Sequence, residues 1–254
     1  MSTWEEIRRE RGIPGTRVFT EPELIAPMEA YLTPCREALD RLLWAFDHDL
    51  YVFGGPPRDV IRYVLEGIPR PRPADLDVFL DDGAERIPLD ELTARVRLAG
   101  LGEPVVFEFG GAQYVQVKGD FELEIFPFSR KFVYMDYPEI PVTVDATLGA
   151  IDLNTSSACY DLRRKRLLSC GAYEGVRDRQ VEVHYVHPLG VRDTLVRLVS
   201  HAGRFGYRLG PRAVALIRRE FDPAGEEDLR NQVLRKHPEL DLAPLLETLR
   251  RIRA

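Results

Sequence analysis

The chain has 254 residues, of which 44% are hydrophobic and 30% charged, with 19 glycines and 19 prolines. This is the composition of a globular protein, and it excludes the collagen, coiled-coil and disordered classes. No window approaches the roughly 18 apolar residues that span a bilayer, and residues 1–15 carry charges where a signal peptide needs an apolar stretch. We therefore expect a cytoplasmic protein without a membrane partner.

The charges and the cysteines narrow the class further. A net charge of −6 argues against nonspecific coating of nucleic acid, because affinity for phosphates comes from Lys and Arg. The segment from residue 187 onward is mildly basic at +4, with 13 Lys and Arg against 9 Asp and Glu, whereas residues 1–186 carry −10. Cys35, Cys159 and Cys170 are widely spaced without a C-x-x-C pattern, which predicts buried thiols and neither a disulfide framework nor a zinc site.

The first third of the chain predicts an arm followed by a strand, a glycine turn and a helix. Residues 1–33 are assigned to an N-terminal arm, loosely held over its first 22 residues, where glycine and proline interrupt any periodicity. An amphipathic helix follows from Pro34 to near His48. Leu50 to Phe53 then reads as a strand that stops at Gly54-Gly55, and residues 58–65 have helical spacing.

The middle of the chain predicts the rest of a sheet. Residues 75–80 form an extended segment in which Asp75 and Asp77 share one face. A helix over residues 89–98 comes next. Three strands are then expected at Val105–Phe109, Tyr114–Val117 and Phe121–Phe128, separated by turns at Gly110-Gly111 and Gly119-Asp120.

The last part of the chain predicts a hairpin and a helical region. Residues 157–170 are typical of a hairpin with four basic residues, 163–166, at its turn, and the chain is helical from about Arg192 with breaks at three Pro-containing dipeptides. The predicted fold class is α+β: a mixed or antiparallel sheet flanked by helices in a head domain over residues 34–186. A short helical domain follows over residues 187–254.

One constellation indicates phosphate chemistry. A glycine pair between a strand and a helix lets the backbone approach a phosphate and presents helix N-terminal N–H groups to it, and Arg58 adds a charge-assisted contact. Gly54, Gly55 and Arg58 are therefore candidates for binding a triphosphate. The structural alternative is an ordinary turn, which is the usual role of a lone Gly-Gly pair.

Three acids form the second part of this constellation. Asp75 and Asp77 on one strand face can hold hard cations such as Mg²⁺, and Glu124 on a neighbouring strand would complete the cage. Two Mg²⁺ ions about 3.5 to 4 Å apart would activate an attacking hydroxyl and stabilise a pyrophosphate leaving group, which is nucleotidyl transfer. The alternative is a solvated strand face, since Glu122 shares the face of Glu124.

The stretch from Tyr51 through Leu80, with its Gly-Gly-x-x-Arg-Asp and Asp-x-Asp segments, resembles the head domain of the bacterial poly(A) polymerase and CCA-adding tRNA nucleotidyltransferase family, within the DNA polymerase β-like superfamily. The resemblance covers about residues 35–210. It implies a polymerase β-like head with a neck-like helical domain at residues 187–254. It also implies that Asp75, Asp77 and Glu124 are catalytic metal ligands and that Gly54, Gly55 and Arg58 meet the incoming nucleotide.

The sequence departs from that family at two segments. Where the family has Arg-Asp-Phe-Thr-Ile-Asn-Ala, residues 151–157 keep Asp152 but lose the Arg and Asn that help to hold sugar and triphosphate. Asn154 or Ser156 are candidates to replace these hydrogen-bonding groups, although such a polar cluster is equally typical of a cap or a turn. The base-selecting Glu-Asp-x-x-Arg motif is absent from residues 190–194. Asp193 and Arg197 lie four residues apart on one helix face. They form either another polar pair that recognises the base or, more commonly, an i,i+4 ion pair. We also expect the helical body that grips tRNA to be missing.

Three further features have weaker functional readings. His184 and His187 lack a neighbouring carboxylate or cysteine pair, which favours a loop role over metal binding. The basic residues 163–166 could touch RNA phosphates, although a basic hairpin tip is usually solvated. The aromatic residues of segment 132–137 could stack a base, although such clusters usually belong to a core.

Together these observations predict an Mg²⁺-dependent nucleotidyltransferase, a transferase that uses two ions. It would move a nucleotide from a bound NTP to an acceptor hydroxyl, with RNA, including tRNA, as the leading acceptor. Asp152, Asp193 and Arg197 join the nucleotide-binding candidates. The alternatives are transfer to a protein or small molecule, or a catalytically silent module that binds a nucleotide or a partner.

Overall fold

A large mixed sheet organises the molecule. The computed structural model describes residues 3–73, 75–83, 85–109, 112–118 and 122–253. Its strands are β1 (Arg17–Phe19), β2 (Leu50–Phe53), β3 (Asp75–Leu80), β4 (Val105–Phe109), β5 (Ala112–Lys118), β6 (Glu122–Pro127), β7 (Ala158–Asp161), β8 (Arg166–Ser169), β9 (Gln180–Val181) and β10 (Arg208–Leu209). Eight of them form one sheet in the order β1-β8-β7-β2-β3-β6-β5-β4, and β9 pairs with β10.

The sheet is mixed because β3 and β6 run parallel while their outer neighbours pair antiparallel. In the parallel pair Asp77 lies opposite Glu124, and Phe79 lies opposite Phe126. Successive side chains of a strand point to opposite faces, so the odd-numbered residues of β3 and the even-numbered residues of β6 share one face. The predicted α+β fold with a mixed sheet is confirmed.

Helices cover the sheet and continue beyond it. They are α1 (Trp4–Glu10), α2 (Pro22–Leu32), α3 (Arg36–Ala45), α4 (Gly55–Glu66), α5 (Leu89–Leu98), α6 (Phe132–Asp136), α7 (Val144–Gly149), α8 (Ala172–Arg177), α9 (Val191–Phe205), α10 (Pro211–Glu220), α11 (Glu226–Lys236) and α12 (Ala243–Arg253). The last four confirm the helical region and its predicted breaks. None of the helices in the described ranges is long and apolar enough to cross a membrane.

Two apolar clusters lie on the two faces of the sheet. The larger one takes Leu76, Val78 and Leu80 of β3 and packs them beneath α2 to α5. The smaller one contains Phe79 and Phe53 together with residues of α1, α6 and α7. The smaller cluster covers only part of its face of the sheet. The acidic residues of β3 and β6 lie on the uncovered part of that face.

The N-terminal segment differs from the predicted loose arm. Its α1 buries Trp4, whose indole Nε1 donates a 2.6 Å hydrogen bond to Asp145, and β1 is an edge strand paired with β8. A helix, α2, was not predicted; Pro22 and Pro27 mask its pattern, and it still buries Met28 and Leu32 completely. Burial of large apolar side chains offsets the poor local signal, because it contributes roughly 1.5–3 kcal/mol for each side chain.

The remaining predicted elements agree with the structure to within a few residues. The helix expected from residue 34 starts as a short 3-10 turn and continues as α3 to residue 45, and the hairpin at 157–170 is β7 and β8. The two turns predicted at 110–111 and 119–120 lie outside the described residues. All three cysteines are free and buried, as predicted.

Candidate active site

A cleft of about 1100 Å³ opens between the face of the sheet that carries Asp77 and Glu124, the start of α4, and helices α9 and α11. All nine predicted site residues line it, although they come from five separate segments. They are Gly54, Gly55, Arg58, Asp75, Asp77, Glu124, Asp152, Asp193 and Arg197.

The carboxylates of Asp77 and Glu124 form the centre of the cleft floor. The parallel register places them opposite each other, and their side chains share a hydrogen bond. Gln116 donates a second hydrogen bond of 3.1 Å to Glu124. Asp75 lies two residues before Asp77 on the same face and is exposed. The structure therefore brings the acids together as a tight pair with the third nearby.

Burial makes this pair hold a proton. Loss of water contacts, followed by the negative charge of Glu124, raises the pKa of Asp77 to about 7, while Lys131 opposes the shift. Burial also raises the pKa of Glu124, against the hydrogen bond from Gln116. Two carboxyls in contact cannot both ionise cheaply without a cation, so one proton is shared between them near neutral pH.

The acid pair fits a divalent cation, although it is not a ready-made cage. Among the described side chains, no group of three or more His, Cys, Asp and Glu is gathered so that it could hold an ion. Carboxylate oxygens are the ligands that Mg²⁺ prefers, and a cation between Asp77 and Glu124 would replace the shared proton. Asp75 is on the correct face to join them.

Lys131 is a neighbour of the acids that sequence reasoning missed. Its ammonium lies 4.2 Å from the ring centroid of Phe79 and 4.8 Å from that of Phe126. Burial lowers the pKa of Lys131 to about 8, and the attraction of Asp77 partly offsets this. A basic residue inside the aromatic run 126–134 was the available signal.

The glycine turn is adjacent to the acid pair. Gly54 has φ 74° and ψ −111°, a conformation that favours glycine, and a Cβ there would lie 3.6 Å from Oδ2 of Asp77. The turn offers fewer donors than the sequence predicted. The Gly54 N–H is bonded to the Ala158 carbonyl and the Arg58 N–H to the Gly54 carbonyl, while prolines 56 and 57 have no N–H. Among the described residues the Gly55 N–H has no bonded partner, so it is the donor that remains for a phosphate.

Arg58 supplies the positive charge beside this turn. It is buried, with 8% of its surface exposed, and its Nε donates a 2.8 Å hydrogen bond to Asp59. Its Nη1 lies 3.4 Å from Nε2 of His201. Its Nη2 lies 3.6 Å from the position that a Cβ on Gly55 would occupy. The guanidinium therefore faces the site where the glycine turn would admit a phosphate.

Arg197 pairs with Asp152 and not with Asp193, so the predicted i,i+4 ion pair is wrong. Its Nε and Nη2 lie 2.8 and 2.7 Å from Oδ2 of Asp152. Asp152 is mostly buried, and its backbone carbonyl is fixed by the His184 N–H. A partly buried carboxylate attracts the guanidinium more strongly than the exposed Asp193 does, because water screens it less. Asp193 lines the cleft on the first turn of α9.

The substitutes considered for the family's asparagine differ in placement. Asn154 is buried. Its side chain donates a hydrogen bond to the carbonyl of residue 180 and accepts hydrogen bonds from the N–H groups of residues 155 and 182, so it has a structural role. Ser156 lines the cleft.

The two histidines and the basic hairpin tip at residues 163–166 make contacts within the protein. His184 is buried beside Ser157, and burial lowers its pKa to about 3. His187 stacks on Phe132 at 4.3 Å. The hairpin tip is bound to the protein and is not simply solvated: Arg163 donates 3.1 Å hydrogen bonds to the carbonyls of residues 43 and 48.

Several cleft-lining cations could not be found from spacing, because distant segments supply them. They are Arg72, Arg130, Lys131, Arg204 and Lys236. With Arg58 and Arg197 they make seven Lys and Arg side chains in the lining of the cleft, against six Asp and Glu, a balance of +1 in a protein whose overall charge is −6. These cations can contact the phosphates of a bound ligand.

Comparison with known proteins identifies the fold. No protein-family model matches the sequence, and no curated protein sequence matches it. Among solved structures, a CCA-adding enzyme with CTP aligns with 93% of this chain at a TM-score of 0.62 and 17% identity. A CCA-adding enzyme with ATP aligns with 94% at 0.59 and 18%. The Thermotoga maritima CCA-adding enzyme complexed with tRNA aligns with 87% at 0.54 and 19%.

This chain spans about half the length of those structures, since it covers 55%, 54% and 49% of them. At such low identity the likeness shows a shared fold with the CCA-adding enzymes and nothing about activity. The fold expected from the motifs at residues 51–80 is thereby confirmed.

Proposed function

We propose that this protein is a nucleotidyltransferase that moves a nucleotide from an NTP to an acceptor hydroxyl on RNA. One observation carries the proposal: the acid pair Asp77 and Glu124 and the turn Gly54-Gly55 line one cleft, where a Cβ on Gly54 would lie 3.6 Å from Oδ2 of Asp77. Phosphoryl transfer needs positioning and charge stabilisation more than covalent chemistry. An acid pair beside a phosphate-admitting turn supplies both.

Each residue has a part in this reaction. The Gly55 N–H and Nη2 of Arg58 would bind the phosphates that leave as pyrophosphate. Asp77 and Glu124, joined by Asp75, would hold two Mg²⁺ ions. Those ions would neutralise the charge on the phosphates and lower the pKa of the attacking hydroxyl. The oxygen of the acceptor hydroxyl attacks the α-phosphorus and loses its proton to solvent, the bond from that phosphorus to the bridging oxygen breaks, and pyrophosphate leaves with the electron pair.

The nucleoside would lie toward α9. Asp152, Arg197 and Asp193 line that side of the cleft. Because Arg197 already uses its Nε and Nη2 on Asp152, its Nη1 would contact the nucleotide, and Asp193 would accept a hydrogen bond from the base or sugar. Discrimination between bases needs fixed polar groups of this kind.

RNA is proposed as the acceptor for two reasons. The cleft is lined by cations that can contact phosphates, and one of the similar structures is a CCA-adding enzyme complexed with tRNA. Because this chain spans about half of that enzyme's length, recognition of a whole tRNA is a separate question from transfer to an RNA 3′ end.

A silent nucleotide-binding module is the second candidate. It is favoured by Lys131. The positive charge of its ammonium interacts with Asp77 and offsets part of the negative charge that a metal ion would otherwise neutralise.

The test is incubation of the protein with each labelled NTP, Mg²⁺ and total cellular RNA. The proposal predicts label in RNA with wild-type protein and none with Asp77→Asn or Glu124→Gln. Asp47→Asn, an exposed loop carboxyl outside the cleft, serves as the matched control and should keep full transfer. NTP binding without label in any acceptor would favour the silent module.

A further inference from the structure

Arg58 is held by a side chain from a different part of the chain. His201 lies on α9, far from Arg58 in sequence, and only 7% of its surface is exposed. Its Nε2 faces Nη1 of Arg58 at 3.4 Å, and its Nδ1 lies 2.7 Å from the hydroxyl of Thr155, which is fully buried. Thr155, His201 and Arg58 thus form a connected series of contacts across the side of the cleft.

The chemistry of arginine fixes the direction of these hydrogen bonds. A guanidinium has donors and no acceptor, so Nε2 of His201 must accept from Arg58. The proton of the neutral imidazole then lies on Nδ1 and is donated to Oγ1 of Thr155. Burial, and next to it the charge of Arg58, lower the pKa of His201 far below its usual range, so the ring is neutral as this arrangement requires.

These contacts leave one guanidinium nitrogen of Arg58 directed at the glycine turn. Nε is used by Asp59 and Nη1 by His201, and the ring of Phe205 packs 5.2 Å from the guanidinium carbon. Because the fork of arginine is planar and rigid, fixing two nitrogens fixes the third. Nη2 lies next to Gly55, and within the described structure it has no hydrogen-bond partner.

We propose that His201, oriented by Thr155, is a positioning residue that holds Arg58 for the phosphates of the bound NTP. The inference rests on the proposed function. It follows from the weak donor supply of the turn: with prolines at 56 and 57, the Gly55 N–H is the backbone donor that remains among the described residues, so a phosphate at this turn depends on the Arg58 guanidinium for a further contact. His201 on α9 thus fixes the orientation of Arg58 on α4.

The test is a double-mutant cycle in NTP binding, measured by calorimetry with a non-hydrolysable NTP. His201→Phe keeps a buried ring but removes the acceptor, and we expect it to weaken binding about tenfold, the order for one hydrogen bond to a charged group. In an Arg58→Met background the same substitution should change nothing, because its effect passes through Arg58. Equal effects in both backgrounds would overturn the inference.

A second pair of variants guards against a change in folding. Thr155→Val has nearly the same shape and removes the hydroxyl, whereas Thr155→Ser keeps it. We expect Val to weaken binding of both NTP and inorganic pyrophosphate, Ser to restore it, and binding of the free nucleoside to stay unchanged. Equal loss for nucleoside and NTP would mean a merely structural role and would overturn the inference. Failure of wild-type protein to bind NTP would overturn the proposed function itself, and with it the inference.

Discussion

Replacing Asp77 by Asn should stabilise the protein while abolishing transfer. The pKa of Asp77 is about 7 in the folded protein, about three units above its ordinary value. Each unit corresponds to about 1.4 kcal/mol, so the ionised carboxyl costs up to roughly 4 kcal/mol of folding free energy above neutral pH. Asn cannot ionise, and its amide can still hydrogen bond to Glu124.

The direction in which stability changes with pH follows from proton linkage. The unfolded chain releases the Asp77 proton near pH 4 and the folded chain near pH 7, so the folded state binds more protons in between. Stability therefore falls as pH rises through this window and is level above it. Asp77→Asn should match wild type near pH 4 and exceed it by about 2–4 kcal/mol near pH 8, or roughly 5–15 °C in Tm for a chain of this size.

The assay is thermal unfolding with a chelator at both pH values, with Asp47→Asn as a control that should not change the pH dependence. Adding Mg²⁺ near pH 8 should then stabilise wild type by about 2.7 kcal/mol at 100 times Kd, which raises its Tm, and should leave the Tm of Asp77→Asn unchanged. If Asp77→Asn is no more stable than wild type near pH 8 with chelator, the charge strain assigned to the acid pair does not exist.

Three more results are expected. Gly55→Val should fold, since a Cβ there has room beside Arg58, yet lose most NTP affinity, because its methyl groups occupy the phosphate approach; unchanged affinity in calorimetry would contradict this. Arg197→Met should lower stability by less than about 1 kcal/mol, as for other half-exposed ion pairs, and weaken NTP binding about tenfold; equal binding would remove Arg197 from the site. On tRNA that ends before C-C-A, with CTP and ATP, sequencing should find no exact C-C-A completion, since residues 190–194 lack the base-selecting motif; efficient, exact completion would refute that prediction.

Local sequence pattern predicted the elements that supply most of the candidate site residues. The strand at 75–80 alternates acidic and apolar residues over 75–78, and the glycine pair separates a buried strand from a helix, so both were visible in the sequence. The pairing of Asp77 with Glu124 was foreseen only as proximity. Its register depends on β3 and β6 running parallel, with α5, β4 and β5 between them along the chain, and no short motif encodes that.

The errors share a physical origin, which is tertiary contact overriding local signal. The N-terminal segment has weak periodicity, but Trp4 packs closely against Gly149, where an added Cβ would meet the indole. Arg197 has an acid four residues earlier, but it pairs with Asp152 from a distant loop. His201 and Thr155 carry no motif, and their joint hold on Arg58 appears only when α9 is placed beside α4.

The most direct measurement of the central claim is a crystal structure with Mn²⁺ and a non-hydrolysable NTP. We expect anomalous density between the carboxylates of Asp77 and Glu124, with the triphosphate against Gly55 and Nη2 of Arg58. Nucleotide bound with its phosphates away from the glycine turn, or no Mn²⁺ at the acid pair, would contradict the assignment of this cleft to nucleotidyl transfer.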